Sequence, residues 1–201
     1  MVGFYGPSYP LKKKKAWENL IAPPATHVLP TPAHAWSPSP SDCIKINLDA
    51  AISDTQATIV VVARDHCGMP LKVWARLIKK TTPLQPETTT LLWVVQLAIV
   101  EKWSKVIFEW DAKICFDAIN SPSQPYPWCI RTQLLNTIAL AECFFSYSFV
   151  WISRNCNGVA HQVDRFSLLS RMAFVFLLDN LPPALLALCK ANYPFCSICI
   201  Q

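Results

Sequence analysis

The chain has 201 residues, of which 52% are apolar and 15% charged, and its formal net charge is +5. This length suits one domain with flanking segments, and the apolar content excludes disorder for most of the chain. No uninterrupted run of about 18 apolar residues occurs, so no membrane span is predicted. With only four glycines, the chain also lacks the glycine-rich loops that bind nucleotide phosphates.

Residues 1–41 are predicted to form a proline-rich leader and linker. The prolines that favour extended chain over helix are Pro23, Pro24, Pro30, Pro32, Pro38 and Pro40. A lysine run at 12–15 supplies part of the positive charge and is more typical of a solvated tail than of a binding site. Because the N-terminus lacks the features of a secretory signal, we expect an intracellular protein, nuclear or cytoplasmic, whose cysteines are mostly buried thiols.

After the linker, the sequence adopts the two-residue period of β-strands. Ile44, Ile46 and Leu48 alternate with polar side chains, as in a strand with one buried face. Two further strand-like runs follow, separated by a turn signal that contains Gly68. The pattern predicts a three-stranded antiparallel meander within residues 43–79, with later strands at about 58–62 and 71–78.

Beyond Pro83, helical periods alternate with strand-like runs. Helices are predicted at about 86–102, 112–120, 130–143 and 158–171, and strands at 105–110 and 146–152. This order predicts an α/β fold, a mixed sheet covered by helices, within a domain at residues 42–172. Residues 173–201 are predicted to be an apolar tail. Its Cys196-x-x-Cys199 lacks a second ligand pair, which favours a chance pair over a zinc site.

Three carboxylates occupy informative positions in these elements. Asp49 lies on the polar side of the first strand, Asp111 directly follows the strand at 105–110, and Glu87 lies in a first helical turn that faces the sheet. Clustered carboxylates repel one another unless a cation neutralises them. Oxygen ligands suit magnesium or manganese, and two such ions cleave phosphodiesters by activating a water and stabilising the leaving oxygen.

Each carboxylate also has a purely structural explanation. Glu87 is favourable near the positive end of a helix, Asp111 suits the N-cap of the next helix, and Asp49 suits an exposed strand position. The pattern alone does not decide between these explanations and a metal site, because a meeting of the three side chains depends on the fold.

Several longer motifs occur in a characteristic order. They are Trp36-Ser-Pro-Ser-Pro, Ile44-Lys-Ile-Asn-Leu-Asp-Ala, Ala63-Arg-Asp-His-Cys-Gly, Glu87 at the head of a long helix, Val106-Ile-Phe-Glu-Trp-Asp-Ala-Lys, Asp117-Ala-Ile-Asn and Trp151-Ile-Ser-Arg-Asn-Cys-Asn-Gly-Val-Ala-His. Together they resemble the ribonuclease-H-like domain of plant non-LTR retrotransposon proteins and their relatives.

The resemblance implies a five-stranded mixed sheet flanked by helices and a monomeric enzyme that cuts the RNA strand of an RNA–DNA hybrid. It also implies two Mg²⁺ or Mn²⁺ ions and four catalytic, metal-binding positions. Asp49 matches the aspartate that bridges both ions, and Glu87 matches the glutamate that holds one ion and helps to position substrate. Asp111 matches a third ligand, and the fourth acidic position falls on His161.

Some positions depart from the family pattern. His161 replaces an aspartate, and because imidazole adds no negative charge and suits magnesium poorly, the second metal site is expected to be weaker. Asp164, one helical turn later, is a candidate to compensate. Trp110 replaces a serine and is expected to place a bulky ring beside Asp111.

Further departures concern small residues and nucleic-acid contacts. Ala50, Thr58 and Val60 stand where the family favours glycine, and their side chains are expected to crowd a nucleic-acid backbone. Candidate nucleic-acid contacts are Lys72, Arg76, Lys79, Lys80, Arg154 and Asn157, although charges on a strand edge also prevent aggregation. Three hypotheses follow: an active hybrid ribonuclease, a binding module without turnover, and a stray retroelement fragment.

Overall fold

The computed structural model describes residues 35–121 and 126–192. Most of the predicted leader, including the lysine run, and the Cys196–Cys199 pair lie outside the described residues.

The described strands form one mixed sheet with the spatial order β5-β4-β1-β2-β3-β6. The strands are β1 Ile44–Ile52, β2 Gln56–Arg64, β3 Pro70–Lys79, β4 Lys105–Trp110, β5 Ser146–Trp151 and β6 Phe174–Leu177. β1, β2, β3 and β6 pair antiparallel, whereas β4 pairs parallel with both β1 and β5. The predicted meander and the α/β fold class are therefore confirmed.

Helices cover both faces of this sheet. They are α1 Leu84–Val100, α2 Lys113–Asn120, α3 Arg131–Ala141, α4 Gly158–Ser170 and α5 Pro183–Asn192, with short 3-10 helices at Trp128–Ile130 and Leu178–Asn180. Because successive strand side chains point to opposite faces, the sheet contributes to two separate cores, one on each face. One core joins α1, α2 and α3 to side chains such as Ile46 and Leu48, and the other joins α4 and α5 to Val60 and Val62.

β6 and α5 belong to the segment that the sequence predicts as an apolar tail. β6 pairs with β3 over four residues, and α5 buries Cys189 against the core under α4. The run Phe174–Leu177 is short and apolar throughout, so it lacks the alternation that marks a strand in a sequence. The domain boundaries at residues 42 and 172 remain predictions.

The α4 face of the sheet carries a buried polar group that we call the paired network: Trp36, Lys45, Asn47, Arg64 and Glu109. The Glu109 carboxylate accepts hydrogen bonds from Trp36 Nε1 at 2.9 Å and from Asn47 Nδ2 at 3.1 Å, and its other oxygen lies 2.8 Å from Lys45 Nζ. Arg64 donates to Asn47 Oδ1 at 2.6 Å, and its guanidinium carbon lies 3.3 Å from the centre of the Trp36 ring. Trp36 thus fastens the end of the predicted linker to the sheet.

The cysteines of the described chain are mostly free. Cys115 and Cys189 are buried free thiols, whereas Cys43 and Cys129 are half-buried and Cys143 is exposed. The buried Cys156 accepts a hydrogen bond from the Ser153 hydroxyl. Cys67 is disulfide-bonded. Among the described helices, none combines the length and the apolar character that crossing a bilayer requires.

Candidate metal centre

Asp49 lies at the centre of the site because β1 lies in the middle of the sheet. Its side chain points to the α4 face and is 2% exposed. Oδ1 accepts a hydrogen bond from the Ala50 N–H at 2.9 Å, and Oδ2 lies 3.0 Å from His161 Nδ1 on α4. Burial, followed by the negative charge of Asp111, raises the pKa of Asp49, although Ala50 and His161 partly oppose the rise.

Asp111 reaches the same place from the neighbouring parallel strand. It directly follows β4, whose Glu109 is in register with Asn47 of β1, so Asp111 continues this register beside Asp49. Asn157 Nδ2 donates to Asp111 Oδ1 at 3.0 Å and to the Leu48 carbonyl at 2.8 Å. Arg154 lies 3.0 Å from Asp111 Oδ2. Asn157 therefore ties Asp111 to the backbone of β1.

Glu87 approaches from the opposite side of the sheet, in the first turn of α1. Its Oε2 atom is buried and has no hydrogen-bond partner within the described chain. Burial raises the pKa of Glu87 well above its ordinary value, and the charges of Asp49, Asp111 and Asp164 raise it further. Glu87 is therefore electrostatically coupled to the other three carboxylates.

His161 and Asp164 complete the group from α4. Three positions apart on a helix, the two side chains share one face. One ligand atom from each of Asp49, His161 and Asp164 lies within 4.8 Å of the other two. Asp164 is fully buried, and its pKa is raised to about 8, first by burial and then by the charge of Asp49.

We call Asp49, Glu87, Asp111 and Asp164 the carboxylate cluster. Arg154 is the cation that contacts it directly, through Asp111. The same guanidinium lies 2.9 and 3.2 Å from the two ring nitrogens of His161. Because neighbouring carboxylates repel one another and, within residues 35–121 and 126–192, Arg154 is the Lys or Arg side chain paired with them, the cluster is suited to bind further positive charge.

The donor set fits a hard divalent cation. It consists of carboxylate oxygens with one imidazole, which favours magnesium or manganese over soft metals. Among the described residues, Glu87 Oε2 and both Asp164 oxygens are buried without a hydrogen-bond partner, as expected of ligands whose natural partner is an ion. Of the four positions expected from the resemblance, Asp49 contacts His161 directly, and Asp111 joins them through Arg154. Glu87 is coupled to Asp49 and Asp111 by charge, and the ligand roles of all four remain predictions.

Two residues of the site had a different predicted role. Arg154 was expected at a phosphate, but here it contacts Asp111 and His161. Asn157 occupies the N-cap position of α4 without a capping side-chain hydrogen bond and instead orients Asp111. Their place just before α4 is visible in the sequence, but the contact with β1 and Asp111 depends on the fold.

Two expectations about crowding are wrong. The Trp110 ring is fully buried in the core against Phe116 and Phe149, because it points away from the α4 face. Val60 packs beneath α4 and does not line an open groove. Lys72 forms an ion pair with Glu101 at 2.7 Å, and its contact with a phosphate remains a prediction.

The family model described as "Reverse transcriptase-like" matches residues 47–166. The chain belongs to the reverse-transcriptase-like family. The matched segment of this family member begins in β1 and ends in α4, and it contains every residue of the carboxylate cluster. Among curated proteins, a search found no match.

Solved structures share the fold of this reverse-transcriptase-like chain. RNase H1 from the halophilic archaeon Halobacterium salinarum NRC-1 is 15% identical, with a TM-score of 0.59, and the match covers 64% of this chain and 98% of that one. The N-terminal RNase H domain of a Mycobacterium tuberculosis protein is 16% identical, with a TM-score of 0.57 over 64% and 94% of the two chains. LC11-RNase H1, from compost by a metagenomic approach, was solved in complex with an RNA/DNA hybrid. It is 18% identical, with a TM-score of 0.57 over 64% and 98%. The chain thus contains a ribonuclease-H-like domain.

Proposed function

We propose that this domain binds RNA–DNA hybrids and hydrolyses their RNA strand with Mg²⁺ or Mn²⁺. The observation that carries the proposal is the carboxylate cluster, in which oxygens of Glu87 and Asp164 are buried and unpaired within the described chain. The match to the reverse-transcriptase-like family and the fold shared with RNase H1 support the same conclusion.

In this proposal the side chains of the site have separate roles. Asp49, Glu87, Asp111 and His161 hold the ions, and Asn157 keeps Asp111 oriented through its hydrogen bond to the Leu48 carbonyl. Bound divalent ions activate a water and stabilise the leaving oxygen of a phosphodiester. Burial keeps bulk water from competing for these carboxylates, which strengthens their hold on a cation.

Substrate binding follows from shape and charge. A hybrid duplex is recognised through its backbone and 2′-hydroxyl groups more than through its bases. Arg76, Lys79 and Lys80 are exposed on or beside β3, and Arg154 is exposed at the carboxylate cluster itself. These cations are candidates to hold the phosphates of the two strands, and binding through them is expected to weaken as salt concentration rises.

The alternative is a domain that binds hybrids without cleaving them. Its specific support is the pair formed by His161 and Arg154, which places an imidazole and a cation beside Asp49 and Asp111. In that case the cluster holds fewer ions than two-metal hydrolysis needs.

The test is hybrid cleavage by the purified full chain. A labelled RNA–DNA hybrid is incubated with Mg²⁺ or Mn²⁺, beside Asp49→Asn and a matched surface variant, Asp179→Asn, which also removes one carboxylate charge. We expect RNA-strand cleavage by the wild type and by Asp179→Asn, and none by Asp49→Asn. Hybrid binding by fluorescence anisotropy in Ca²⁺, with no cleavage in either metal, would instead favour the binding module.

A further inference from the structure

Asp164 is the least satisfied acid in the described chain. It is fully buried on α4, and neither carboxylate oxygen has a hydrogen-bond partner among the described residues. The Ala51 N–H lies close enough to lower its pKa but does not meet the geometry of a hydrogen bond. A buried carboxylate without hydrogen-bond donors is strongly unfavourable, so a bound cation or a proton is expected to stabilise it.

The same carboxylate is aimed at the metal centre. A ligand atom of Asp164 lies within 4.8 Å of ligand atoms of Asp49 and His161. Oxygen ligands about 2.1 Å from a magnesium ion are about 3–4 Å from one another. A small side-chain rotation therefore brings these three groups around a common ion.

His161 by itself leaves the centre short of negative charge. It stands where the resemblance places the fourth acid, and an imidazole neither adds charge nor suits magnesium well. Asp164 lies one helical turn further along the same face of α4, so it supplies a carboxylate to the same region from a new position.

We infer that Asp164 is a ligand of the divalent metal ion, in place of the carboxylate that the family carries at the position of His161. The inference rests on the proposed function only in that the ion is the one proposed there. It refines the proposed function at one position: the Asp164 carboxylate binds the ion, and His161, counted there as a ligand, acts mainly through its hydrogen bond to Asp49.

The experiment measures metal binding without activity. Mn²⁺ is titrated into the full-length chain, and free Mn²⁺ is followed by electron paramagnetic resonance. The variants are Asp164→Asn, the exchange His161→Asp with Asp164→Asn, and Asp179→Asn as the matched surface control. Thermal unfolding in EDTA, followed by circular dichroism, reports whether each variant folds.

We expect Asp164→Asn to weaken Mn²⁺ binding at least about tenfold, the effect that even outer-shell partners of a metal show. In EDTA the same variant is expected to melt at a higher temperature than the wild type, because the neutral amide replaces a buried acid that must either take up a proton or carry an unpaired charge in the folded state. The exchange variant is expected to regain Mn²⁺ affinity, since it returns the carboxylate to the family's position. Asp179→Asn is expected to behave as the wild type.

Wild-type Mn²⁺ affinity in Asp164→Asn would overturn the inference, as would an exchange variant that folds but does not regain binding. The two proposals fail separately. If Asp164→Asn loses Mn²⁺ while the wild type neither binds nor cleaves hybrids, the inference stands and the proposed function falls. If Asp164→Asn binds Mn²⁺ and cleaves hybrids as the wild type does, the proposed function stands and the inference falls.

Discussion

Two buried polar groups lie side by side on the α4 face of the sheet, and they differ in how their charges are neutralised. In the paired network, the Glu109 carboxylate contacts Lys45, Trp36 and Asn47. The carboxylate cluster contains Asp49, which lies two residues after Asn47 in β1. Its Asp111 is paired with the exposed side chain of Arg154.

The difference separates structure from function. A buried charge with a full set of partners is satisfied by the fold itself. Buried carboxylates whose pKa values are raised by one another are instead typical of a site that awaits a ligand. The paired network accordingly joins strands to the segment that contains Trp36, whereas we propose that the carboxylate cluster binds cations.

The largest expected effect comes from breaking the paired network. Glu109→Gln leaves Lys45 buried beside a neutral side chain, so the free energy of unfolding is expected to fall by about 3 kcal/mol, measured by urea denaturation. Mn²⁺ affinity, corrected for the folded fraction, is expected to stay at the wild-type value. Equal stability with reduced metal binding would show that Glu109 belongs to the metal centre.

Asp49→Asn makes the opposite test, in the carboxylate cluster. We expect Mn²⁺ affinity to fall at least about tenfold because a central ligand is lost, measured by the same resonance titration. The free energy of unfolding in EDTA is expected not to fall, since a repelling charge is removed. A large loss of stability with intact Mn²⁺ binding would contradict this contrast between the two groups.

The pH dependence of stability sharpens the comparison. In the unfolded chain an aspartate titrates near pH 4, whereas burial raises the pKa of Asp164 to about 8 in the folded protein. Between these values the folded state keeps a proton that the unfolded state has released. As the pH rises between these values, the free energy of unfolding of the metal-free protein is therefore expected to fall by about 1.4 kcal/mol per pH unit for this group.

Thermal unfolding in EDTA between pH 5 and pH 8 measures that slope. Glu87, whose pKa is also raised, adds to it in the same direction. Saturating Mn²⁺ is expected to reduce the slope, because the ion replaces the protons, and Asp164→Asn is expected to reduce it without metal. Stability that rises with pH in EDTA would contradict the assigned burial of these acids.

The smallest effect concerns Trp36. Trp36→Phe removes the hydrogen bond to Glu109 but keeps an aromatic ring over Arg64, so we expect a loss of about 1 kcal/mol, measured by urea denaturation. The larger change Trp36→Ala serves as the comparison, with a greater loss. No change in either variant would mean that Trp36 does not fasten this segment to the sheet.

Much of the fold could be predicted from the sequence because its signals are local. Alternation at Ile44, Ile46 and Leu48 marked β1, and the helical stripe after Pro83 predicted a helix at about 86–102, where the structure has α1 at Leu84–Val100. β6 was missed because it is a short edge strand whose partner, β3, lies far away in the sequence.

The part of the site that could be predicted is the part that lies in the sequence motifs. Asp49, Glu87, Asp111 and His161 followed from the resemblance, and the structure places Asp49 in contact with His161; the ligand roles of the four remain predictions. The direction of the Trp110 ring and the contacts of Arg154 depended on the fold. The unpaired state of Asp164 did as well, since burial and hydrogen bonding between distant segments leave no periodic trace in a sequence.

The measurement that tests the central claim most directly is the anomalous difference map of crystals of the full chain soaked in MnCl₂. The account predicts Mn²⁺ peaks among Asp49, Glu87, Asp111 and Asp164, and none at the paired network of Glu109 and Lys45. Crystals soaked to saturation that show no peak among these four carboxylates would contradict the assignment of a metal centre to this site.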